Sequence, residues 1–246
     1  MKNISITLFT TTLFMIFISG CGFDKKDLDD SKLLDENETV VFNSEGRYDL
    51  KEYLFPSQNQ TNVYERVKHR DNNGDKNYDK EPISINLNNQ IEYTLNDNMV
   101  LEGADIEYTI KDISIEKKEL VDNFYDIREY RRYVDVGDYY FSYESVDAKS
   151  LWYQIGWTKC KVEEHIDSKV ILDKSYDDVL LLVCDSESAE GVRGEYKNRK
   201  NFSSALYFAK GVGQIGAIGE ECFNKRYNHS YRGCTKTTKQ LKEILK

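Results

Sequence analysis

Apolar side chains recur at every second position over much of this chain, and that period constrains the fold more than any other feature. Only an extended strand places alternate residues on one face, so each run predicts a strand with one apolar side. The runs occupy residues 83–87, 91–95, 106–110, 113–115, 134–136 and 139–143, and further strands are expected at 151–157, 160–164, 179–184 and 205–218.

Short links between these runs favour neighbouring strands that pair antiparallel. The 246 residues include only two prolines, and no helical pattern separates the strands, which argues against a doubly wound α/β fold. The sequence therefore predicts a mainly β protein, an antiparallel meander that forms a curved sheet, a half-barrel or a sandwich. A short N-terminal helix and a C-terminal helix complete the predicted fold.

The N-terminal helix is predicted at residues 49–56. Asp49 is suited to cap it, Leu50, Tyr53 and Leu54 form one apolar face, and Pro56 stops it. We expect this helix to plug one end of the sheet. At the other end of the chain, the apolar residues at 241, 244 and 245 predict the C-terminal helix.

Three links are predicted to be turns. Asn88-Asn89 is expected to join two strands, and Gly137-Asp138 suits a two-residue hairpin whose first central residue needs a positive φ. Gly211 and Gly213 permit a tight turn or bulge between an aromatic strand and an apolar strand.

The first twenty residues carry one cation and an apolar run that ends in Ile18-Ser19-Gly20-Cys21. This tetrapeptide resembles the lipobox of bacterial lipoproteins, where signal peptidase II cleaves and the cysteine is lipidated. The resemblance implies that residues 1–20 are a cleaved signal peptide and that Cys21 carries several acyl chains, which hold a protein stably at a membrane. Gly22 follows the cysteine in place of the aspartate that retains such proteins at the inner membrane, so the resemblance implies the outer membrane.

A retained transmembrane anchor is the alternative reading of this segment. A spanning helix needs about 20 predominantly apolar residues, whereas this run is shorter and is interrupted by three threonines.

Residues 21–46 are polar and acidic, and such a segment cannot bury enough surface to fold alone. We expect a flexible tether there and a single β-rich domain over residues 47–246. Within the tether, Asn37 lies in the sequence Asp35-Glu36-Asn37-Glu38-Thr39, which resembles the acceptor site of bacterial periplasmic N-glycosylation. Asn37 is therefore a glycosylation candidate where the host has that machinery.

The segment from Tyr207 to Gly216 places an aromatic pair and a lysine before Gly-Val-Gly. It resembles a segment of uncharacterised periplasmic β-sheet lipoproteins, in which it links two strands. The resemblance implies a β fold and no particular activity. A phosphate-binding glycine loop is the alternative, but the chain lacks the surrounding motif.

The chain has five cysteines, and setting Cys21 aside leaves an even number in an oxidising compartment. Two disulfides are therefore expected. Of the three ways to pair the cysteines, proximity favours the first with the second and the third with the fourth. A zinc site that includes His229 is the alternative, although it lacks the paired C-x₂₋₄-C spacing. The four are Cys160, Cys184, Cys222 and Cys234.

Five oxygen-bearing side chains at alternate positions suggest a calcium loop, because a hard cation takes oxygen ligands in this pattern. The segment resembles an EF-hand loop but has Lys76 in place of the glycine and Pro82 in place of the bidentate glutamate. A polar hairpin turn is the alternative. The candidate ligands are Asp71, Asn73, Asp75, Asn77 and Asp79.

Aromatic residues make up 13% of the chain, with 18 tyrosines. Tyrosines on a concave sheet can hold a sugar or an apolar ligand, although tyrosine is also an ordinary strand former. The candidate groove residues are Tyr139, Phe141, Tyr143, Trp152 and Trp157.

The net charge of −9 argues against nucleic acid as a partner, and no recognised catalytic motif occurs. We therefore expect a lipid-anchored envelope protein that acts as a non-enzymatic binding or structural module, with another envelope protein or a glycan as partner. No cofactor is expected apart from the calcium candidate. The alternatives are a lipid-tethered hydrolase or carbohydrate-processing enzyme that uses carboxylates, and a half-barrel that carries acyl chains.

Overall fold

The computed structural model describes residues 40–71, 85–121, 124–149, 152–192, 195–225 and 231–246. Strands dominate these residues, with one short helix, α1 (Leu50–Leu54). No helix among them has the length and apolar character needed to cross a bilayer. The strands are β1 (Tyr48–Asp49), β2 (Gln60–Asp71), β3 (Ile85–Asn96), β4 (Met99–Glu102), β5 (Ile106–Ile110), β6 (Ser114–Val121), β7 (Phe124–Arg131), β8 (Tyr133–Val134), β9 (Tyr139–Lys149), β10 (Trp152–Ile171), β11 (Lys174–Val192), β12 (Glu195–Ala209), β13 (Gly213–Lys225) and β14 (Tyr231–Leu245).

Twelve strands form one antiparallel sheet in the order β7-β6-β5-β4-β3-β2-β14-β13-β12-β11-β10-β9. The order follows the chain except where β14 pairs with β2, so the sheet is two meanders joined by that pair. The sheet curves into a nearly closed, barrel-like form, and β1 and β8 make a separate two-stranded pair. The predicted mainly β, antiparallel fold is confirmed.

The two ends of the sheet, β7 and β9, meet through side chains. The ring centroid of Tyr130 lies 4.9 Å from that of Phe141 and 6.2 Å from that of Tyr140. The guanidinium of Arg128 lies 5.9 Å from the centroid of Phe141. We call this line of ring contacts the seam.

Helix α1 forms where the sequence predicts it. Asp49 is its N-cap, and the Asp49 carboxylate accepts a hydrogen bond of 3.0 Å from the backbone N–H of Lys51. Leu50 and Tyr53 are almost fully buried. They pack on the face of the sheet that carries Leu180 and Leu182, which we call the inner face. The predicted apolar face of the helix thus covers the interior of the sheet.

Buried side chains fill the inner face beside α1. Many of them alternate along a strand, as Leu206 and Phe208 on β12 illustrate, whereas Tyr140 and Phe141 are consecutive residues of β9. Tyr207, between them, belongs to a second cluster with Ile171 and Ile215. Other members of the inner core are Tyr93, Val100, Ile115, Tyr140, Phe141, Val162, Leu180 and Leu182.

The predicted C-terminal helix is wrong, because residues 231–245 form strand β14. Leu241 pairs with Tyr64 of β2, and the register then shifts so that Glu243 pairs with Val63. This bulge adds one residue to the alternation. Apolar residues three and four positions apart therefore arise in a strand and imitate the spacing of a helix.

The predicted turn at Asn88-Asn89 is also wrong. Strand β3 continues through both residues, and Asn89 pairs with Tyr64. The turn lies instead after Asn96, where Asp97 has a φ of 38°. The prediction placed a turn at Asn88-Asn89 because asparagine is common in turns, but here asparagine lies within a strand, and Asn89 is exposed.

The two glycine turns are present. At Gly137, with a φ of 97°, the chain turns, but the flanking strands β8 and β9 pair with β1 and β10 and not with each other. Gly211 and Gly213, with φ values of 72° and 86°, link β12 to β13 as predicted. Positive φ values favour glycine at both sites.

Two disulfides cross-link neighbouring strands, Cys160 to Cys184 and Cys222 to Cys234. These are the pairs that proximity in the sequence favours. The first lies in the inner core, and the second joins β13 to β14 directly across the ladder.

Replacing both Cys222 and Cys234 by serine is expected to lower the free energy of unfolding by about 3 kcal/mol, because the bridge closes a loop of about 13 residues in the unfolded chain. Urea unfolding under non-reducing conditions measures the loss, and the intact Cys160–Cys184 bridge keeps the rest of the sheet comparable. A double variant as stable as the parent protein would contradict the expectation.

Candidate functional site

The structure does not bring the five predicted groove aromatics together. Phe141 is buried in the inner core, whereas Tyr143 is 44% exposed. Trp157 pairs with the residue that follows Tyr143, so the two side chains lie on opposite faces of the sheet. Tyr139 is half-buried beyond a bulge in the ladder. The side chain of Trp152 lies outside the described residues.

Other candidate sites lie outside the described residues. Asp71 is the last residue of β2, and the other four candidate calcium ligands follow it in the part that is not described. The zinc alternative needs thiolates, but Cys222 and Cys234 are joined in a disulfide. The candidate site residues that lie wholly outside the described ranges are Cys21, Asn37, Asn73, Asp75, Asn77, Asp79 and His229.

A polar cluster fastens α1 to the sheet. The Tyr53 hydroxyl donates a hydrogen bond of 2.5 Å to Oδ1 of Asp178, and Nε2 of His165 lies 2.9 Å from the same oxygen. The His165 ring stacks on Tyr48 with centroids 5.1 Å apart. Asp178 has a φ of 53°, a left-handed conformation that aspartate tolerates better than most residues. We call these four residues the Asp178 clamp.

The protonation states of the Asp178 clamp suit a structural contact between α1 and the sheet better than a catalytic centre. Burial, and then the hydrogen bond to Asp178, raise the pKa of Tyr53 well above its usual value, so its hydroxyl stays protonated. Burial of Asp178 opposes ionisation, but the hydrogen bonds from Tyr53 and His165 outweigh it and lower the pKa of Asp178. Lys210 adds a positive charge 3.8 Å away.

The variant Asp178→Asn is expected to be less stable than the parent protein at pH 7. The folded-state pKa of Asp178 is lowered, so its ionised form stabilises the fold above the unfolded-state pKa of about 3.9, and this contribution is lost as the pH falls through the folded-state pKa. The loss at pH 7 should stay below about 1 kcal/mol, because the 41% exposed carboxylate is screened by solvent.

Denaturant unfolding at pH 7 and at pH 3 measures this difference, which should shrink at the lower pH. Asp167→Asn is the matched control, because the Asp167 side chain is fully exposed and lies 3.9 Å from the other nitrogen of His165. An equal loss in both variants would contradict the role of the clamp.

A groove of about 240 Å³ lies on the outer face of the sheet, where the tip of the β10–β11 hairpin folds over β12, β13 and β14. The tip turns through Leu172 and Asp173, which both have positive φ values. We call this cavity the Lys169 groove. The residues that line it include Lys169, Ile171, Tyr207, Ile218, Thr238, Lys239 and Gln240.

Gly216 keeps the groove open. A Cβ atom at Gly216 would lie 3.3 Å from Cδ1 of Ile171 and 3.7 Å from Cδ2 of Tyr207. The Lys169 ammonium lies 4.5 Å from the centroid of the Tyr207 ring, a cation–π contact. Ile171 is buried and Ile218 is 41% exposed, so the groove has an apolar side.

The groove has the chemistry of a binding site. Lys169 makes no ion pair with any described residue, and none of the described lining residues is an aspartate or glutamate. Thr238 and Gln240 add a hydroxyl and an amide that can donate hydrogen bonds. A cation, two neutral donors and an apolar wall suit a small organic anion.

Sequence reasoning missed this groove because its walls come from distant parts of the chain. Tyr207 and Gly216 lie in the segment that is predicted from the sequence to link two strands. Lys169 and Thr238 reach them only through the fold of the hairpin and the pairing of β13 with β14. The one local signal is Gly216, a glycine inside a strand, which often marks close approach by a neighbour or a ligand.

No family model matches the chain, and comparisons with curated proteins and with solved structures give no match either.

Proposed function

We propose that this protein is a lipid-anchored lipoprotein of the bacterial outer membrane whose β domain binds a ligand without chemical conversion. The ligand is a small organic anion of about the size of a sugar acid, free or as a unit of an envelope glycan, and it binds in the Lys169 groove. The observation that carries the proposal is the cation Lys169, without an ion-pair partner among the described residues, beside a 240 Å³ cavity.

The same geometry disfavours the hydrolase. Glycoside hydrolysis by the usual route needs two carboxyl groups about 5–9.5 Å apart. The described lining of the Lys169 groove supplies no carboxyl group. Binding is therefore the function that this cavity supports.

The acyl-carrier alternative needs an apolar cavity inside the sheet. Beside α1, the inner face is occupied by buried side chains, among them Tyr53, Ile115, Leu180 and Leu182. A filled interior of this kind favours a scaffold whose ligand binds elsewhere.

The anchor rests on the sequence Ile18-Ser19-Gly20-Cys21. Acyl chains on Cys21 hold the protein at the membrane, since each buried CH₂ contributes about 0.8 kcal/mol. A flexible tether of about 25 residues spans about 25–30 Å on average. Such a tether lets the β domain reach ligands near the membrane surface.

Cys21→Ala is expected to abolish lipidation and to release the protein from the membrane fraction. Metabolic labelling with a radioactive or alkyne-bearing fatty acid measures acylation, and fractionation measures release. Ser31→Ala is the matched control, because it makes a comparably small change in the tether, outside the tetrapeptide that the proposal assigns to lipidation. Unchanged labelling and membrane association of Cys21→Ala would contradict the anchor.

Glucuronate tests the groove, with glucose as the uncharged comparison. We expect the full-length protein in detergent to bind glucuronate and not glucose in calorimetric titrations. Lys169→Ala should weaken binding at least tenfold, because a charge-assisted hydrogen bond contributes about 1.5–3 kcal/mol. Ile218→Trp should block binding by filling the groove.

Lys51→Ala is the charge-matched control, since Lys51 lies on α1, which packs on the other face of the sheet. This variant should bind as the parent protein does. Equal affinity for glucose and glucuronate, or an equal loss in Lys51→Ala and Lys169→Ala, would count against the groove as an anion site.

A further inference from the structure

Three cations lie together on one face of β2 and β14, and one of them, Lys239, is also among the residues that line the Lys169 groove. Lys239 of β14 pairs directly with Arg66 of β2, and Lys68 lies two residues further along β2, opposite Thr237. Side chains two residues apart on a strand share a face, and directly paired residues have Cβ atoms about 4.5–5.5 Å apart. We call Arg66, Lys68 and Lys239 the inner cation cluster.

The register also fixes which face these cations occupy. Tyr64 precedes Arg66 by two residues, and the Lys239 ammonium lies 3.9 Å from the centroid of the Tyr64 ring. Tyr64 pairs with Asn89 of β3, four residues before Tyr93 of the inner core. By this register the cations share the face of Tyr93, and the Tyr64 ring beside them belongs to the second cluster with Ile171 and Ile215.

This arrangement is unfavourable on its own. Like charges directly opposite each other in a ladder destabilise the sheet. All three cations are also half-buried, and the loss of part of their hydration destabilises the folded state further. Nζ of Lys239 donates a hydrogen bond of 2.7 Å to Oε1 of Gln214, which carries no charge. Burial, and then the nearby Arg66, lower the pKa of Lys239 to about 8, while Glu102 opposes this change.

Glu102 compensates only in part. Its carboxylate accepts a hydrogen bond of 2.8 Å from the Tyr108 hydroxyl, and no ion pair joins it to the three cations among the described residues. Other charged residues of the inner face form ion pairs with each other, as Lys117 does with Glu119, and so their charges are already balanced. One additional negative charge among Arg66, Lys68 and Lys239 would offset their repulsion.

The geometry points to a second binding site, formed by the inner cation cluster, for a tetrahedral oxyanion: a sulfate or phosphate group. Three cationic side chains on one concave face suit a divalent oxyanion better than a single carboxylate, because each oxygen can accept from a different donor. Arg66 supplies a planar fork of donors, and the lysines supply point charges. The side chains are half-buried, so solvent and a small anion reach them.

The site shares the residue Lys239 with the lining of the Lys169 groove, but alternation places the Lys239 side chain on the face of the sheet opposite to those of Thr238 and Gln240. The net charge of −9 repels extended polyanions, whereas a single oxyanion group meets only the local cluster. The oxyanion can be free or carried by a phosphorylated sugar of the envelope, and both present the same tetrahedral group.

Calorimetric titration of the full-length protein in detergent with sodium sulfate tests the site, with sodium chloride at equal ionic strength as the blank. We expect sulfate to bind, and Lys239→Met to weaken that binding at least tenfold. The same variant should unfold at a higher temperature in sulfate-free buffer, because it removes the buried charge and keeps the aliphatic stem.

Lys236→Met is the matched control, since Lys236 is an exposed residue of the same strand on the outer face. It should change neither sulfate affinity nor sulfate-free stability. Arg66→Gln is a second test of the cluster, and it too should weaken sulfate binding at least tenfold. The two variants keep the test decisive if one of them folds poorly.

Inorganic phosphate and glucose 6-phosphate then distinguish the two sources of the oxyanion. Tighter binding of glucose 6-phosphate assigns the site to a phosphorylated sugar, and equal affinities assign it to the free anion. Absence of sulfate binding to the parent protein would overturn the proposal. An equal loss of binding in Lys236→Met and Lys239→Met would overturn it as well, because that result is expected of diffuse surface charge.

Discussion

Packing of α1 against the inner face is the interaction on which the rest of the structure depends. An eight-stranded barrel is about filled by its own side chains, and this sheet has twelve strands. Leu50 and Tyr53 of α1 occupy the additional space. The helix is held by the Asp178 clamp and by Arg132, whose guanidinium lies 2.7 Å from the Asp49 carboxylate. Without α1, much of the apolar inner face would have no partner.

The inner face changes character along a single strand. Gln60, Asn62 and Tyr64 of β2 are buried and linked by hydrogen bonds to each other and to the backbone of the Gly211–Gly213 turn region. Arg66 and Lys68 continue the same face with charge. The stabilising part of the interior and its unfavourable cations therefore adjoin, which is the arrangement expected where a fold gives up stability for binding.

Local patterns predicted much of the fold because they express local physics. A helix cap and an apolar face are encoded within one turn by Asp49, Leu50 and Tyr53, and α1 forms there. Alternation likewise located most of the strands. The prediction failed where a distant partner decides: the bulge after Leu241 arises from pairing with β2, and it made a strand resemble a helix. The Lys169 groove is hidden for the same reason, since Lys169 and Thr238 meet only in the folded chain.

The seam gives the sheet one boundary that differs from all the others. Among the described residues, every other neighbouring pair of strands is joined by a ladder of backbone hydrogen bonds, whereas β7 and β9 are the two ends of the strand order. Parting them separates Tyr130 and Arg128 from Phe141 and breaks ring contacts in place of a ladder. The sheet is thus an open strip whose two edge strands are held together by side-chain contacts. Opening of the sheet along the seam therefore does not require any pair of strands to separate its backbone hydrogen bonds.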